Sequence, residues 1–346
     1  MSGMEAVVVS TGGDVGEVQE IEVLETLGEP TRFRYRVPVR IADDDLPALA
    51  NGAADPEATV TVVASGEFLV LGPVTGQRAL LSGEGETSWL DVVGGDRSLE
   101  MGREATITSW SPMRASDAVM AIVATYGFLP DVESTSTLYT PLGHELVQRG
   151  TDLAFVRRLA RRHGYLFWLS TTPIGLQIAH FKPPPVSGSP DVTLSLHLEN
   201  ANLDQLELEW DSDRPTSIEA AGLDLSEVEA IDASVTSPPL PAMAGQGLAD
   251  VNGGSHSTLT VAAGDDAATL SGPANEVLTE AELFVRARAT TTCDRVGQVL
   301  HAHSLVKLDG LGTRHSGTWL VASARHLIDA VSHRMELTFV RNGWEA

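Results

Sequence analysis

From Ala6 to Asp91 the sequence alternates apolar and polar residues in short runs broken by Gly, Pro and Asp. A period of two over five to ten residues suits a half-buried strand and cannot form the apolar stripe of a helix. Runs such as 18–24, 32–41, 59–63 and 67–74 are rich in Val, Ile, Phe and Tyr, as strands of a barrel or sandwich are. The clearest is Thr31 to Val37, where Phe33, Tyr35 and Val37 share one face and Arg32, Arg34 and Arg36 the other. The arginine face is expected to be wet or to meet an acidic partner.

The period changes after a last run at 104–109. Ser116 is placed to cap a helix over 117–126 whose stripe is Val119, Met120, Ile122, Val123 and Tyr126, with Gly127 ending it. A second helix opens at Thr151 and Asp152, repeats Leu153, Val156, Leu159 and Ala160, gathers Arg157, Arg158, Arg161 and Arg162 toward its end, and stops at Gly164. Acid at the start and cations at the end match the helix dipole. Residues 165–169 and 176–181 then read as a strand pair, and Pro183-Pro184-Pro185 with Ser187, Gly188 and Ser189 reads as a linker.

Alternation returns at 191–210. Between Arg214 and Arg286 there is no Lys or Arg, while eleven acidic residues fall there, nearly half of the net charge of −24. Within this stretch 234–258 is rich in Pro, Gly, Ser and Ala and is expected to be a long loop or a partly disordered arm. A helix is expected over 275–290 with Asn275 as its cap, followed by strands at 297–301, 304–308, 317–323 and 334–341. The length of 346 residues suits two or three domains. The expected division is a first β domain, 1–103, an α/β module, 104–185, and a second β domain, 186–346, carrying an acidic insertion at about 211–290. No repeat of 20 to 50 residues is visible.

Composition removes several function classes. The single Cys293 has no partner in the chain, which excludes an internal disulfide and zinc–thiolate clusters and suits a reducing compartment. Affinity for a phosphate backbone comes mainly from Lys and Arg, so the acidic surplus argues against nucleic acid. No apolar run is long enough to span a bilayer, and residues 1–16 carry no signal-peptide pattern. The protein is expected to be soluble and made in the cytoplasm.

Candidate chemistry is sparse. His301 and His303 would share a strand face, the spacing of two metal ligands, but no third ligand stands at a recognised spacing, so they read as polar groups on a solvated face. Gly253-Gly254-Ser255-His256-Ser257 lacks the second glycine of a nucleophile turn and reads as a flexible tip. Asp43 to Asp45 and the pair Asp265 and Asp266 sit in polar turns and read as solvated carboxylates. There is no phosphate loop or dinucleotide fingerprint. The expectation is no enzyme, no metal and no cofactor. The local charge of the arginine helix, five Arg less Asp152 over 149–162, favours contact with an acidic surface of another subunit, and Arg158, Arg161 and Arg162 are the candidate contact residues.

Three stretches resemble one family. The segment from Gly150 to Leu169, "GTDLAFVRRLARRHGYLFWL", is similar to the helix and aromatic strand of phage late-control D proteins and of the hub part of valine-glycine-repeat spike proteins; Asp152, Phe155, Arg158, Leu159, Gly164, Tyr165 and Phe167 stand in the family's places. "VVGGDRSLEMGRE", with Asp96, resembles the strand and Gly-x-Asp turn that leave the first barrel, and "SGTWLVASARHLID", with His326, followed by "HRMELTFVRN", resembles the closing hairpin. The acidic stretch 199–271 matches only loosely. The resemblance implies a structural, non-catalytic baseplate hub of a contractile injection system. Two similar barrels per chain, arranged by a homotrimer, would form a six-barrel ring joining a sixfold inner tube to a threefold spike. Because the chain stops at Ala346 without a needle, a separate spike protein is expected beside inner-tube and other baseplate partners. The negative segment, Glu227, Glu229 and Asp232 included, would face the channel and repel acidic cargo. A spike-associated hydrolase and a β-rich receptor- or glycan-binding module are the alternatives.

Overall fold

The computed structural model describes residues 6–39, 51–56, 58–83, 88–141, 145–197, 199–224, 229–235, 240–253, 257–261 and 267–346. Six strands open it: β1 (Ala6–Ser10), β2 (Glu20–Thr26), β3 (Arg32–Pro38), β4 (Thr59–Ala64), β5 (Glu67–Leu80) and β6 (Trp89–Gly95). In β3 the alternation holds: Phe33, Tyr35 and Val37 are buried while the arginines lie on the opposite face. The acidic partner of that face is the chain itself. Arg34 pairs with Glu20 at 2.5 Å and Glu22 at 2.9 Å, and Arg36 reaches Asp91 at 2.7 Å. Burial opposes charge on Asp91, yet the two guanidiniums outweigh it and hold the carboxyl below its ordinary range. Arg325 continues the ladder to Glu22 and Glu336.

Strands β7 (Ala105–Ser109), β8 (Met113–Arg114), β9 (Leu129–Val132), β10 (Leu138–Tyr139), β11 (Val147–Thr151), β12 (Leu166–Thr171) and β13 (Gln177–Lys182), with helices α1 (Ala115–Thr125) and α2 (Asp152–Arg162), build a second core. It gathers Val119, Ile122, Phe128, Phe155, Leu159, Phe167 and Phe181. Thr151 caps α2 as expected, its hydroxyl accepting from the Ala154 N–H. Ser116 does not cap α1. The helix starts at Ala115, Asp117 takes the Arg114 N–H, and Ser116 is buried against Thr135.

The remainder holds β14 (Val192–Ser195), β15 (Gln205–Trp210), β16 (Ser217–Asp224), β17 (Glu229–Val235), α3 (Leu248–Val251), β18 (Ser257–Val261), α4 (Ala267–Glu282), β19 (Val285–Thr292), α5 (Cys293–Val296), β20 (Leu305–Asp309), β21 (Gly317–Asp329) and β22 (His333–Arg341). Three expectations are corrected here. The helix expected over 275–290 ends at Glu282, because from Val285 the period is two and Val285, Ala287 and Ala289 face inward along a strand. Residues 297–301 form no strand; Gly297, at φ +81°, closes α5 and a turn follows. The stretch read as a loop or partly disordered arm is, where it is described between β17 and β18, mostly loop around α3, and it is pinned rather than a free arm: Leu240 and Leu248 are buried, and Gln246 and Trp344 exchange backbone hydrogen bonds at 2.9 and 3.0 Å. Asp43 to Asp45, Glu227, Gly254 to His256, Asp265 and Asp266 lie outside the described residues.

The chain is mainly β. One twelve-stranded sheet runs β1-β4-β5-β6-β3-β2-β21-β22-β19-β15, with β20 on β21 and β14 on β20. The antiparallel β2–β21 pair joins the two ends of the chain, and one apolar core runs under both halves from Ile21 and Phe33 to Trp319 and Phe339. Strands β16, β17 and β18 form a small separate sheet that α4 covers through Ile218, Ala220, Ala274 and Leu278.

Candidate functional site

A cavity of about 340 Å³ opens where the large sheet meets the second core, lined by Glu25, Glu67, His301, His303, Trp168 and Ser170 among others. Each side chain is there for a local reason. In β2 the inward positions are 21, 23 and 25, so the pleat that buries Ile21 and Val23 also carries the Glu25 carboxylate inward. In β21 the same alternation buries Ala324, His326 and Ile328. His301 and His303 do not share a strand face. They sit in the turn before β20, where His303 takes φ +69°, and their rings part.

His301 Nδ1 lies 2.8 Å from Glu25 Oε1, and its Nε2 lies 3.1 Å from Glu67 Oε2. His326 Nε2 stands 3.4 Å from the same Glu25 Oε1, and its Nδ1 is 3.0 Å from His333 Nε2. The second oxygen of Glu25 accepts the Ala302 N–H at 3.0 Å. Burial opposes charge on Glu25, but His301 and His326 outweigh it and hold the carboxyl well below the carboxylate range. Burial opposes the His301 imidazolium too, yet Glu25 and Glu67 push it up to about 10. His333 is taken down to about 4 by burial and by the charges of His326 and His301.

Trp168 stacks with His303, ring centroids 4.2 Å apart, and with His180 at 4.5 Å. His303 accepts the Gly28 N–H at Nε2, 3.2 Å, and burial pulls it down to about 4, so the ring there is neutral. Ser170 Oγ, His180 and Asp131 form a chain with distances of 2.7 and 2.6 Å, the order of groups used in acyl transfer. Asp131 is shared with the Lys182 ammonium, and acyl transfer further needs donors aimed at a carbonyl oxygen beside the serine. Through this chain Ser170 and Asp131 fix the His180 ring that stacks on Trp168.

The arginine-helix residues lie away from this cavity. Arg158 sits 5.3 Å from the Phe155 ring centre, Arg161 pairs with Glu276 at 3.3 Å, and Arg162 lies 5.4 Å from the Tyr139 ring. Of the family-motif residues, Phe155, Leu159 and Phe167 are buried in the second core and Tyr165 packs edge-on to Phe181 at 5.3 Å. Asp152 accepts from the Tyr126 hydroxyl at 2.8 Å and from the Gln148 amide at 2.5 Å, and Gly164, at φ +66°, ends the helix. Asp96 is buried at the junction, where its carboxylate accepts the Thr31 and Ser98 N–H groups; burial raises it. His326 alone of the motif belongs to the histidine–carboxylate cluster, which the spacing of His301 and His303 did not reveal.

Among the described residues, no helix is long and apolar enough to cross a membrane. The fold is that of phage tail proteins. The tail protein of Neisseria meningitidis MC58 superposes with a TM-score of 0.67 at 16% identity, over 99% of this chain and 98% of that one. The 43 kDa tail protein of prophage MuSo2 from Shewanella oneidensis gives 0.65 at 15% identity, over 98% and 97%. An Escherichia coli component of the type VI secretion system, described as similar to the T4 bacteriophage tail proteins gp27 and gp5, gives 0.61 at 13%, over 97% of this chain and 76% of that one. No curated protein matches the sequence. The family model of the Alg8 N-terminal domain matches residues 67–330, well over half of the chain, and the chain therefore belongs to the Alg8 N-terminal domain family.

Proposed function

We propose that this chain is a structural baseplate hub of a contractile, phage-tail-like injection system, a homotrimeric adaptor between a sixfold inner tube and a threefold spike. The observation that carries the reading is the end-to-end likeness to two tail proteins, each covered over at least 97% of its length. In this reading residues 1–103 and 186–346 supply two similar barrels, 104–185 form a module beside them, and three chains present six near-equivalent seats. Kinship with the late-control D proteins is part of the same proposal, with Asp96, Asp152, Phe155, Leu159, Gly164, Tyr165, Phe167 and His326 as shared framework. Two observations favour ring closure and spike contact. Strand β1 ends the sheet path with Val7 and Val9 exposed, an edge that a closed ring would cover. The fold also matches a chain of a Francisella PdpA–VgrG complex with a TM-score of 0.52 over 98% of this chain.

The partners are then further copies of this chain, a spike protein, the inner tube and other baseplate proteins, assembled in the cytoplasm. Arg158, Arg161 and Arg162 are assigned to subunit contacts, and Glu229 and Asp232 of β17 to a cargo-repelling channel face. Native mass measurement tests the proposal, with three copies expected and loss of the trimer on changing the three arginines to Glu. A single copy under native conditions, with no ring in images of the particle, overturns it.

A further inference from the structure

We infer that Glu25, His301 and His326 form a binding site for one divalent transition-metal ion of the zinc type, at the floor of the cavity between the large sheet and the second core. The donor atoms Glu25 Oε1, His301 Nδ1 and His326 Nε2 lie within 4.8 Å of one another. Zinc bonds of about 2.0–2.2 Å at tetrahedral angles place neighbouring donors about 3.3–3.5 Å apart. The Glu25 to His326 separation of 3.4 Å fits that spacing as it stands, and the Glu25 to His301 separation of 2.8 Å needs the pair to part by roughly half an ångström. His301 sits in a turn with a third of its side chain exposed, so it has room to do so. Two histidines and a glutamate are the donor set of several zinc sites that keep a fourth position for water or substrate. Glu25 and His301 both line the cavity, which gives an ion its way in.

The second observation is independent of the clustering. His326 is wholly buried; among the described residues its Nε2 makes no hydrogen bond of ordinary geometry, and Glu25 Oε1 stands 3.4 Å from it. A buried ring nitrogen without a partner costs free energy unless something occupies its lone pair. His326 Nδ1 lies 3.0 Å from His333 Nε2, so His326 can donate there and present its Nε2 lone pair to an ion. Each ligand has such an outer support: His301 Nε2–H can donate to Glu67, and Glu25 Oε2 is fixed by the Ala302 N–H. Histidine ligands oriented by a carboxylate or a neutral acceptor on the other nitrogen, and carboxylates pinned by a backbone amide, are how metal sites are held in shape.

The test is calorimetric titration of the full chain, stripped by chelator, with Zn²⁺, together with the visible spectrum of the Co²⁺ form. One ion per chain and a tetrahedral cobalt spectrum are expected. His326→Ala and Glu25→Gln should remove both, His333→Ala should weaken binding about 10- to 100-fold through the outer shell, and His197→Ala, at an exposed histidine outside the cavity, should leave both intact. Should the His326 variant fail to fold, His301→Ala, in the half-buried turn before β20, carries the same test. Failure of the wild type to bind, or retention of site and spectrum in the His301→Ala and Glu25→Gln variants, overturns the inference; the second result assigns the ion to the acidic surface.

Discussion

Phe155→Ala is the perturbation that reports most directly on how the second core is held. The ring lies on the inner face of α2 with Val156, Leu159 and Ala160, is 1% exposed, and carries the Arg158 guanidinium 5.3 Å above its centre. Removing a fully buried phenyl loses about 2 kcal/mol of transfer free energy. A residual void of roughly 80 Å³ adds about 2 kcal/mol more at ~24 cal/mol per Å³, and the lost cation–ring contact a further ~0.5 kcal/mol. The sum, about 4.5 kcal/mol, agrees with the 3–5 kcal/mol range of such truncations. Urea unfolding of the full chain, followed through its tryptophan fluorescence, should show the transition at lower denaturant with the α2 amides losing exchange protection first. Phe155→Leu, which refills most of the space, should cost about 1 kcal/mol. If the alanine variant shifts by less than about 1 kcal/mol and α2 protection is unchanged, Phe155 is not a core anchor and the packing described for α2 is wrong.

Two more predictions follow from close approach and from buried charge. A Cβ at Gly94 would come within 2.2 Å of the Pro73 carbonyl oxygen and 2.4 Å of the Phe33 ring, so Gly94→Ala should destabilise by about 1–3 kcal/mol or more, and an unchanged urea midpoint would show that β5 and β6 are not packed as described. Burial raises the Glu282 carboxyl from 4.5 to about 7 against the Leu240 N–H that it accepts. The folded state therefore holds this proton longer than the unfolded chain, and the stability it contributes is complete below about pH 4.5 and lost as pH rises through 7. With solvent reaching it through a neighbouring cavity of about 270 Å³, the loss is held to about 2 kcal/mol. Glu282→Gln should flatten the urea midpoint over that range and stabilise the chain at pH 8; an unaltered slope would sink the assignment.

Local pattern was legible in the sequence wherever one period ran long enough to exclude the other. The faces of β3 and the start and stop of α2 are written in Phe33, Tyr35 and Val37 and in Thr151 and Gly164. The extent of α4 was not, because its apolar positions run straight into the Val285–Thr292 strand and only the switch from four-residue to two-residue spacing marks the boundary. The order of strands was not legible either. Strand β2 pairs with β21 some 300 residues away, as in Glu25 opposite Ala324, and nothing in either strand names the other.

The cluster at the cavity shows where a signal did exist and how it was masked. Glu25 follows Ile21 and Val23 at a spacing of two, so a carboxylate stands at a core position of an otherwise apolar strand face, and His326 does the same between Ala324 and Ile328. An ionisable group at such a position has to find a partner inside, since an unpaired buried charge costs more than a strand can repay. Two strands carrying complementary misfits are good candidates to be neighbours, and β2 and β21 are paired in register. His301 and His303 are close in sequence but not in action, because the positive φ at His303, which residue type does not announce, separates the two rings. The misfit inside an alternating strand was the more informative mark, because it states an unmet physical requirement rather than a mere coincidence of residue types.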